Sequence, residues 1–204
     1  MYFCSKYKNW EHMTTSIDIA RRIAEVNHPL SRESVHALAE ILVCRKYRKG
    51  EIVLQAGEVC KAMLFIEKGM LRQFYYKYDK DQTEHIGYEN GMIICIESYF
   101  KQEPTRLMVE TLEASVVWEL PRVEVEKLID QYHDIERLYR GFIEHSLIES
   151  QVKADTLRFE PAHERYNRLS QLHPEILKRA PLVYIASLLQ MTPETLSRVC
   201  SSLL

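Results

Sequence analysis

The spacing of hydrophobic positions changes twice along the chain, from a helical repeat to short strands and back to a helical repeat. Residues 31–43 carry apolar side chains three to four residues apart behind Pro29 and Ser31, which predicts a helix. Helical spacing returns at Val123, and a long helix is predicted from about Asp134 to Leu157. The Phe159-Glu-Pro-Ala stretch then breaks the helical pattern and predicts a hinge before a small helical segment.

Between the two helical regions, seven short apolar runs are separated by regular turn signals. The runs cover residues 51–55, 62–67, 70–78, 83–88, 92–96, 106–112 and 115–120. Four of the six glycines fall in the proposed turns, where a positive φ costs glycine little; they are Gly50, Gly57, Gly69 and Gly91. Seven short strands with regular turns predict a sandwich or a barrel.

One apolar stripe follows the long helix at steps of three to four residues or their multiples. Its members are Ile135, Leu138, Phe142, Ile148 and Val152. A stripe on so long a helix needs a partner surface, which is either the chain's own barrel or the same helix of a second subunit. The second alternative predicts a homodimer with these five residues in its interface.

The stretch from Val183 to Val199 predicts two short amphipathic helices joined by a tight turn, the outline of a DNA-binding helix-turn-helix. Thr192 is expected to cap the second helix, with Pro193 in its first turn. The polar side chains left outward are candidates for DNA contact; they are Thr192, Glu194, Thr195, Ser197 and Arg198. Two short helices with a threonine cap also occur in helical proteins that never bind DNA, so this pattern alone leaves both interpretations open.

Composition changes this picture little. The 204 residues suffice for one large and one small domain, and the net charge of -2 argues against indiscriminate nucleic-acid binding. Five widely spaced cysteines without a Cys-x-x-Cys pair predict neither a disulfide framework nor a metal site. No run is long enough to span a bilayer and no secretory segment is visible, so we expect a cytoplasmic protein without a membrane partner. No catalytic motif competes, and we predict neither an enzyme nor a cofactor.

The order of these elements resembles the CRP/FNR family of bacterial transcription regulators over nearly the whole chain. The resemblance is carried by Gly57-Glu58, Leu64-Phe-Ile-Glu-Lys-Gly69, Glu89-Asn-Gly-Met-Ile93, Ile185-Ala186 and Thr192-Pro-Glu-Thr-Leu-Ser-Arg198. The segment from His173 to Ala186 is especially similar to members of the Bacteroidetes type. The resemblance implies an α+β protein with an N-terminal jelly-roll barrel of the cyclic-nucleotide-binding kind. A long dimerisation helix and a C-terminal helix-turn-helix without a clear wing complete it.

The chain departs from the family where a cyclic nucleotide would bind. Members that bind cyclic nucleotides use a Gly-Glu pair for the ribose and an Arg-Ser pair for the cyclic phosphate. Here Cys95 and Ile96 stand where Gly-Glu belongs, and Thr105-Arg106 lies near the Arg-Ser position in inverted order. We therefore expect a degenerate cassette. Its candidate effector-binding residues are Glu97, Ser98, Thr105 and Arg106, although Glu97 and Arg106 could equally form a surface ion pair.

The resulting prediction has three parts: an effector domain over residues 1–133, a dimerisation helix over 134–158 and a DNA-binding domain over 159–204. The predicted function is a dimeric transcription regulator that binds double-stranded DNA and responds to a small-molecule effector in the barrel. The family often has an arginine where Pro193 stands and a glycine near Gln190, and both differences weaken DNA binding. The alternative is therefore a ligand-binding or dimerisation module whose DNA-binding domain is vestigial.

Overall fold

The computed structural model describes residues 14–202, apart from the side chains at 26, 27 and 202. Its helices are α1 (Ser16–Asn27), α2 (Arg32–Ile41), α3 (Ile96–Lys101), α4 (Arg122–Gln131), α5 (His133–Phe159), α6 (Ala162–Leu172), α7 (Pro174–Arg179), α8 (Leu182–Leu188) and α9 (Pro193–Ser202). Its strands are β1 (Val43–Tyr47), β2 (Ile52–Leu54), β3 (Ala62–Lys68), β4 (Met70–Lys77), β5 (Lys80–Tyr88), β6 (Met92–Ile93), β7 (Met108–Thr111) and β8 (Ser115–Pro121). Cys4 and the outer limits of the two terminal predicted domains lie outside the described residues.

The eight strands form two antiparallel four-stranded sheets, with the strand orders β1-β8-β3-β6 and β2-β7-β4-β5. Two sheets of this kind are the arrangement of a double-sheet jelly roll. The expectation of a closed barrel is corrected, because the ladders of hydrogen bonds do not join the two sheets into one ring. The second sheet carries the C-terminal helices, which pack at the edge that β5 forms.

Each of the seven predicted strands is present, but the boundaries differ in two informative places. The run predicted over residues 92–96 ends at Ile93, and α3 begins at Ile96. The helix predicted over residues 31–43 ends at Ile41, and an eighth strand, β1, begins at Val43. Because β1 alternates poorly between apolar and polar residues, its pairing with β8 and not its own pattern defines it.

Three of the four glycines predicted in turns have the expected positive φ angle, and Gly91 does not. Gly50, Gly57 and Gly69 have φ angles of 80°, 92° and 102°. Gly69 also approaches Ser115 so closely that a Cβ atom would overlap its side chain. The positive φ expected at Gly91 falls instead on Asn90, at 66°, a residue type that tolerates the left-handed region.

Side-chain caps explain where the first two helices begin. Thr15 accepts a hydrogen bond from the Asp18 amide, and the Asp18 carboxylate accepts one from the Thr15 amide, which closes a capping box. Ser31 caps α2, as its sequence position predicts. The buried faces of α1, α2, α4 and the first half of α5 pack against the jelly roll in one hydrophobic core. A second, smaller core lies between the C-terminal helices and the second sheet.

Candidate functional site

The four predicted effector residues do not converge on one pocket. Glu97 is exposed on α3 and its carboxylate contacts Lys101 Nζ at 2.8 Å, one helical turn away. That contact lowers the pKa of Glu97 from its ordinary value. Arg106 is also exposed, and its guanidinium lies 4.9 Å from the ring of Tyr75. Glu97 and Arg106, the two charged members of the expected polar pocket, therefore both lie on the surface, and each contacts a neighbour that the sequence did not predict.

Ser98 and Thr105, the two uncharged members, are buried, and their hydrogen bonds stabilise the local backbone. Ser98 Oγ accepts from the Cys60 amide at 2.9 Å and donates to the Glu103 carbonyl. Thr105 Oγ1 accepts from the Leu107 amide at 2.9 Å. The Thr105 backbone exchanges hydrogen bonds of 2.8 Å with the segment that contains Glu58. These bonds fix α3 and its following loop.

Two cysteines and a glutamine occupy the interior beside this loop. Cys60 is 5% exposed and Cys95 is 2% exposed. Gln73 Nε2 donates to the Cys95 sulfur at 3.2 Å and to the Ile94 carbonyl at 2.9 Å. The sequence marks Cys95 only as a departure from the family, and it does not associate Cys95 with Cys60 or Gln73. The one available signal is that Gln73, next to Arg72, interrupts a run of apolar and aromatic residues.

An apolar cavity of about 20 Å³ lies between the jelly roll and the helices packed on it. Its walls include Leu38 of α2, Met63 of β3, Leu120 of β8 and Phe142 of α5. Small-molecule sites usually enclose roughly 300 to 1,000 Å³. A nucleotide therefore does not fit this cavity without displacement of the surrounding helices.

The C-terminal segment contains two short helices with a four-residue connection between them. Residues 189–192 join α8 to α9, and Gln190 adopts the left-handed region with φ 49°. Thr192 Oγ1 accepts from the Thr195 amide at 3.2 Å, so the predicted cap is confirmed. Ile185 and Leu196 are buried between the helices, with 2% and 0% of their surface exposed.

The outer face of α9 carries most of the predicted DNA-contact residues. Thr192, Glu194, Ser197 and Arg198 are exposed, whereas Thr195 is half-buried. Thr195 forms a hydrogen bond with Thr192 through its hydroxyl. Hydrogen bonding to Thr192 lowers the pKa of the Glu194 carboxyl, so this side chain is an anion at neutral pH.

A contact that the sequence did not predict joins α8 to the sheet edge at β5. The Thr83 amide donates to Ser187 Oγ at 2.8 Å. The guanidinium of Arg72 on β4 lies 3.6 Å from the ring centroid of Tyr184, and it also binds the Asp81 carboxylate at 2.6 Å. Arg72 is almost fully buried. The C-terminal helices therefore cover its guanidinium where they pack on the sheet.

A second ion-pair cluster ties the same helices to the sheet. Arg179, at the end of α7, binds Glu89 Oε2 at 2.7 Å and also contacts Glu113. The Arg179 guanidinium holds the pKa of Glu89 at about 2, well below its ordinary value. Tyr88 and His173 add a hydrogen bond of 3.1 Å nearby. The positions of α7 and α8 relative to the jelly roll are therefore set by specific polar contacts as well as by apolar packing.

The apolar stripe on α5 divides at its middle. Ile135, Leu138 and Phe142 are buried in the chain's own core, with at most 7% of their surface exposed. Their assignment to a dimer interface is therefore corrected, because the protomer already covers them. Ile148 and Val152 lie on the second half of α5 and are 60% and 43% exposed.

The described residues offer neither a metal-binding cluster nor a membrane-spanning helix. Within residues 14–202, no group of three or more His, Cys, Asp or Glu side chains is placed to hold a metal ion. No helix in that range has the length and apolar character needed to cross a membrane.

Comparison with known proteins gives a consistent result for the fold. Residues 44–132 match the family model of the cyclic nucleotide-binding domain. No curated protein matches the chain in sequence. Many solved structures resemble it, and regulators of the crp/fnr family are among these neighbours.

Three of these neighbours illustrate how far the likeness extends. FixK2 from Bradyrhizobium japonicum is 20% identical with a TM-score of 0.66, and the match covers 80% of this chain and 84% of that chain. The catabolite activator protein of Thermus thermophilus is 19% identical with a TM-score of 0.56, and the coverage is 89% and 86%. The c-di-GMP responsive global regulator CLP of Xanthomonas campestris is 15% identical with a TM-score of 0.62, and the coverage is 85% and 91%. At these identities the likeness establishes a shared fold.

Proposed function

We propose that this chain is a homodimeric transcription regulator that binds double-stranded DNA through a helix-turn-helix formed by α8 and α9. The observation that carries the proposal is the exposed polar face of α9. This face follows a capped four-residue connection and belongs to a chain with the fold of known regulators. In helix-turn-helix proteins the second helix enters the major groove and its N-terminal residues contact base edges. Glu194, Ser197 and Arg198 occupy those positions here.

Arg198 is the decisive side chain on this face, because it is the only basic residue on α9 among those described. Its Nε lies 3.4 Å from the Glu194 carbonyl, so the side chain is folded along the helix and remains exposed. An arginine in this position either donates two hydrogen bonds to guanine or binds a phosphate. Glu194 can accept a hydrogen bond from the amine of cytosine.

Binding selections and salt titrations with Arg198→Ala distinguish these roles. A lost guanine contact costs about 1 to 3 kcal/mol on the preferred site and relaxes preference at one base pair. A lost phosphate contact weakens all sequences alike and reduces the salt slope by about one. Lys49→Ala serves as the charge-matched control, since Lys49 is exposed in a turn of the jelly roll. If the wild-type protein selects no DNA sequence, the proposed regulator function is refuted. The alternative, a module with a vestigial DNA-binding domain, then replaces it.

The second half of α5 supports the homodimer. Leu147, Ile148 and Val152 are large aliphatic side chains that are 69%, 60% and 43% exposed. Ile148 and Val152 are four residues apart and therefore share one helix face, as pairing of two long helices requires. We expect Ile148→Glu to give monomers in light scattering, because an unpaired charge would enter the seam. Ser150→Glu adds the same charge about 200° around the helix, and this variant should remain a dimer. If the two variants have the same mass in light scattering, the interface lies elsewhere.

The effector is proposed to be a small molecule other than a cyclic nucleotide. Cys95 and Ile96 supply no carboxylate for a ribose hydroxyl, and the nearby Glu97 carboxylate is on the surface with Lys101. Each missing partner of a buried polar group costs about 1 to 3 kcal/mol. Calorimetry should therefore detect weak cyclic AMP binding or none, and micromolar affinity would contradict this part of the proposal.

A further inference from the structure

One arginine spans the short junction between the long helix α5 and the C-terminal helices. α5 ends at Phe159 and α6 begins at Ala162. Arg165 lies in the first turn of α6, and its Nη1 donates to the Glu160 carbonyl at 2.8 Å. The Glu160 amide donates to the Thr156 carbonyl at 3.1 Å, so Glu160 continues the C-terminal end of α5. Arg165 is therefore anchored at the end of the long helix.

The other arm of the Arg165 guanidinium reaches the turn between α8 and α9. Its Nη2 donates to the Gln190 carbonyl across a long distance of 3.4 Å. Gln190 has φ 49°, and the amide of Met191 donates back to the Ala186 carbonyl at 2.9 Å. This turn sets the direction in which α9 leaves α8. One guanidinium therefore joins the end of α5 to the turn that orients α9.

The charge of Arg165 suits both contacts, because each carbonyl lies just beyond the C-terminal end of a helix. Glu160 follows the 27-residue helix α5, and Gln190 follows α8. Helix C-termini carry partial negative charge, and cations are favourable there. A guanidinium is planar and holds its donors in a fixed fork. Two arms bound at two helix ends therefore constrain the orientation of one helix relative to the other.

The local environment of Arg165 is not arranged to satisfy the whole side chain. Arg165 Nε is buried and has no hydrogen-bond partner among the residues that the structure describes. An unpartnered buried donor destabilises a fold, and its presence in a native structure calls for an explanation. Arg168, three residues further along α6, is exposed and binds the Glu160 carboxylate. The two arginines thus contact the same junction residue in different ways, and Arg165 extends its contact to the α8–α9 turn.

We propose that Arg165 is a positioning residue for DNA binding, which holds the α8–α9 turn in one orientation relative to α5. This inference rests on the proposed function, because it assumes two copies paired along α5 and two α9 helices in the major groove. Dimeric helix-turn-helix proteins bind half-sites about 34 to 36 Å apart, one turn of DNA. One added base pair moves a half-site by about 3.4 Å and rotates it by about 34°. A constraint at the junction therefore becomes a preference for one spacer length.

Spacer preference in Arg165→Met tests the proposal on the full-length protein. Methionine retains an unbranched aliphatic side chain and removes every donor, including the unpartnered Nε. A selection with the wild type first defines the half-site and its spacer, and DNAs with one base pair more or fewer are then titrated. We expect each change to weaken wild-type binding at least about tenfold, because DNA or protein must deform, and to weaken binding of the variant less than about threefold. Affinity for a single half-site should stay within about twofold of the wild type, because the base-contacting face of α9 is unchanged.

Arg168→Met is the matched control. It removes an arginine of the same helix that also binds Glu160, and it should keep the wild-type spacer preference. If Arg165 only stabilised its surroundings, Arg165→Met would bind half-sites and full sites more weakly by the same factor. That result, or an unchanged spacer preference in Arg165→Met, would overturn the proposal.

Amide hydrogen exchange without DNA separates a failure of this inference from a failure of the proposed function. Exchange at the Met191 amide should accelerate at least about fivefold in Arg165→Met, because loss of the Gln190 contact loosens the turn. It should be unchanged in Arg168→Met. If the wild type selects no DNA sequence while Met191 responds as expected, the regulator function is refuted and the connection from α5 to the turn is supported. Equal Met191 exchange rates in the two variants would overturn that connection whatever the DNA result.

Discussion

Replacement of Ser187 by alanine should release the C-terminal helices from the edge of the second sheet. Ser187 Oγ accepts the Thr83 amide hydrogen at 2.8 Å, and Thr83 is only 6% exposed. Since β5 is the edge strand of its sheet, this amide has no partner strand on that side. The alanine variant removes the acceptor and leaves a buried donor, which costs about 1 to 3 kcal/mol. That range corresponds to a factor of about 5 to 150 in the equilibrium for local opening.

Amide hydrogen exchange at Thr83 measures this cost directly. We expect exchange at Thr83 to accelerate by about that factor in Ser187→Ala, while exchange in β3 and β8 stays unchanged. Ser170→Ala is the matched control, because Ser170 is an exposed helical serine and its replacement gives the same small gain in helix propensity. Equal Thr83 exchange rates in the two variants would refute the reasoning, since they would show that α8 does not cover this edge in solution.

Three further substitutions test contacts elsewhere in the protein. Phe142→Glu should unfold the protomer in urea titrations and not merely dissociate a dimer, because Phe142 is 7% exposed in the chain's own core; a folded monomer would contradict this. The pKa of Glu89 is lowered from 4.5 to about 2, chiefly by its hydrogen bonds to Arg179. Its stabilisation is therefore fully present above about pH 4.5 and lost as the pH falls toward 2, so the urea stability of wild type and Glu89→Gln should converge over that window. A constant difference in stability would argue against the ion pair. Gln190→Gly should stabilise the protein by about 1 kcal/mol in thermal unfolding, because Gln190 has φ 49°; destabilisation would place this residue in another conformation in solution.

The sequence by itself determined the order and type of most elements. Alternating apolar runs and glycine turns predicted seven strands, and the structure contains all seven. The spacing after Thr192 predicted both the cap and the exposed face of α9. These features depend on local periodicity and on hydrogen bonds within three or four residues, which a single sequence displays directly.

Only the tertiary structure decided which surfaces are covered and which polar groups meet. The α5 stripe reads as one continuous apolar face, yet the protomer buries Phe142 and leaves Ile148 exposed, because the jelly roll meets only the first half of the helix. Glu97 and Arg106 are close in sequence but contact Lys101 and Tyr75 respectively, whereas Gln73 and Cys95 are 22 residues apart and joined by a hydrogen bond. Pairing between distant strands sets such contacts, and no local pattern records which residue on one strand will face a given residue on another.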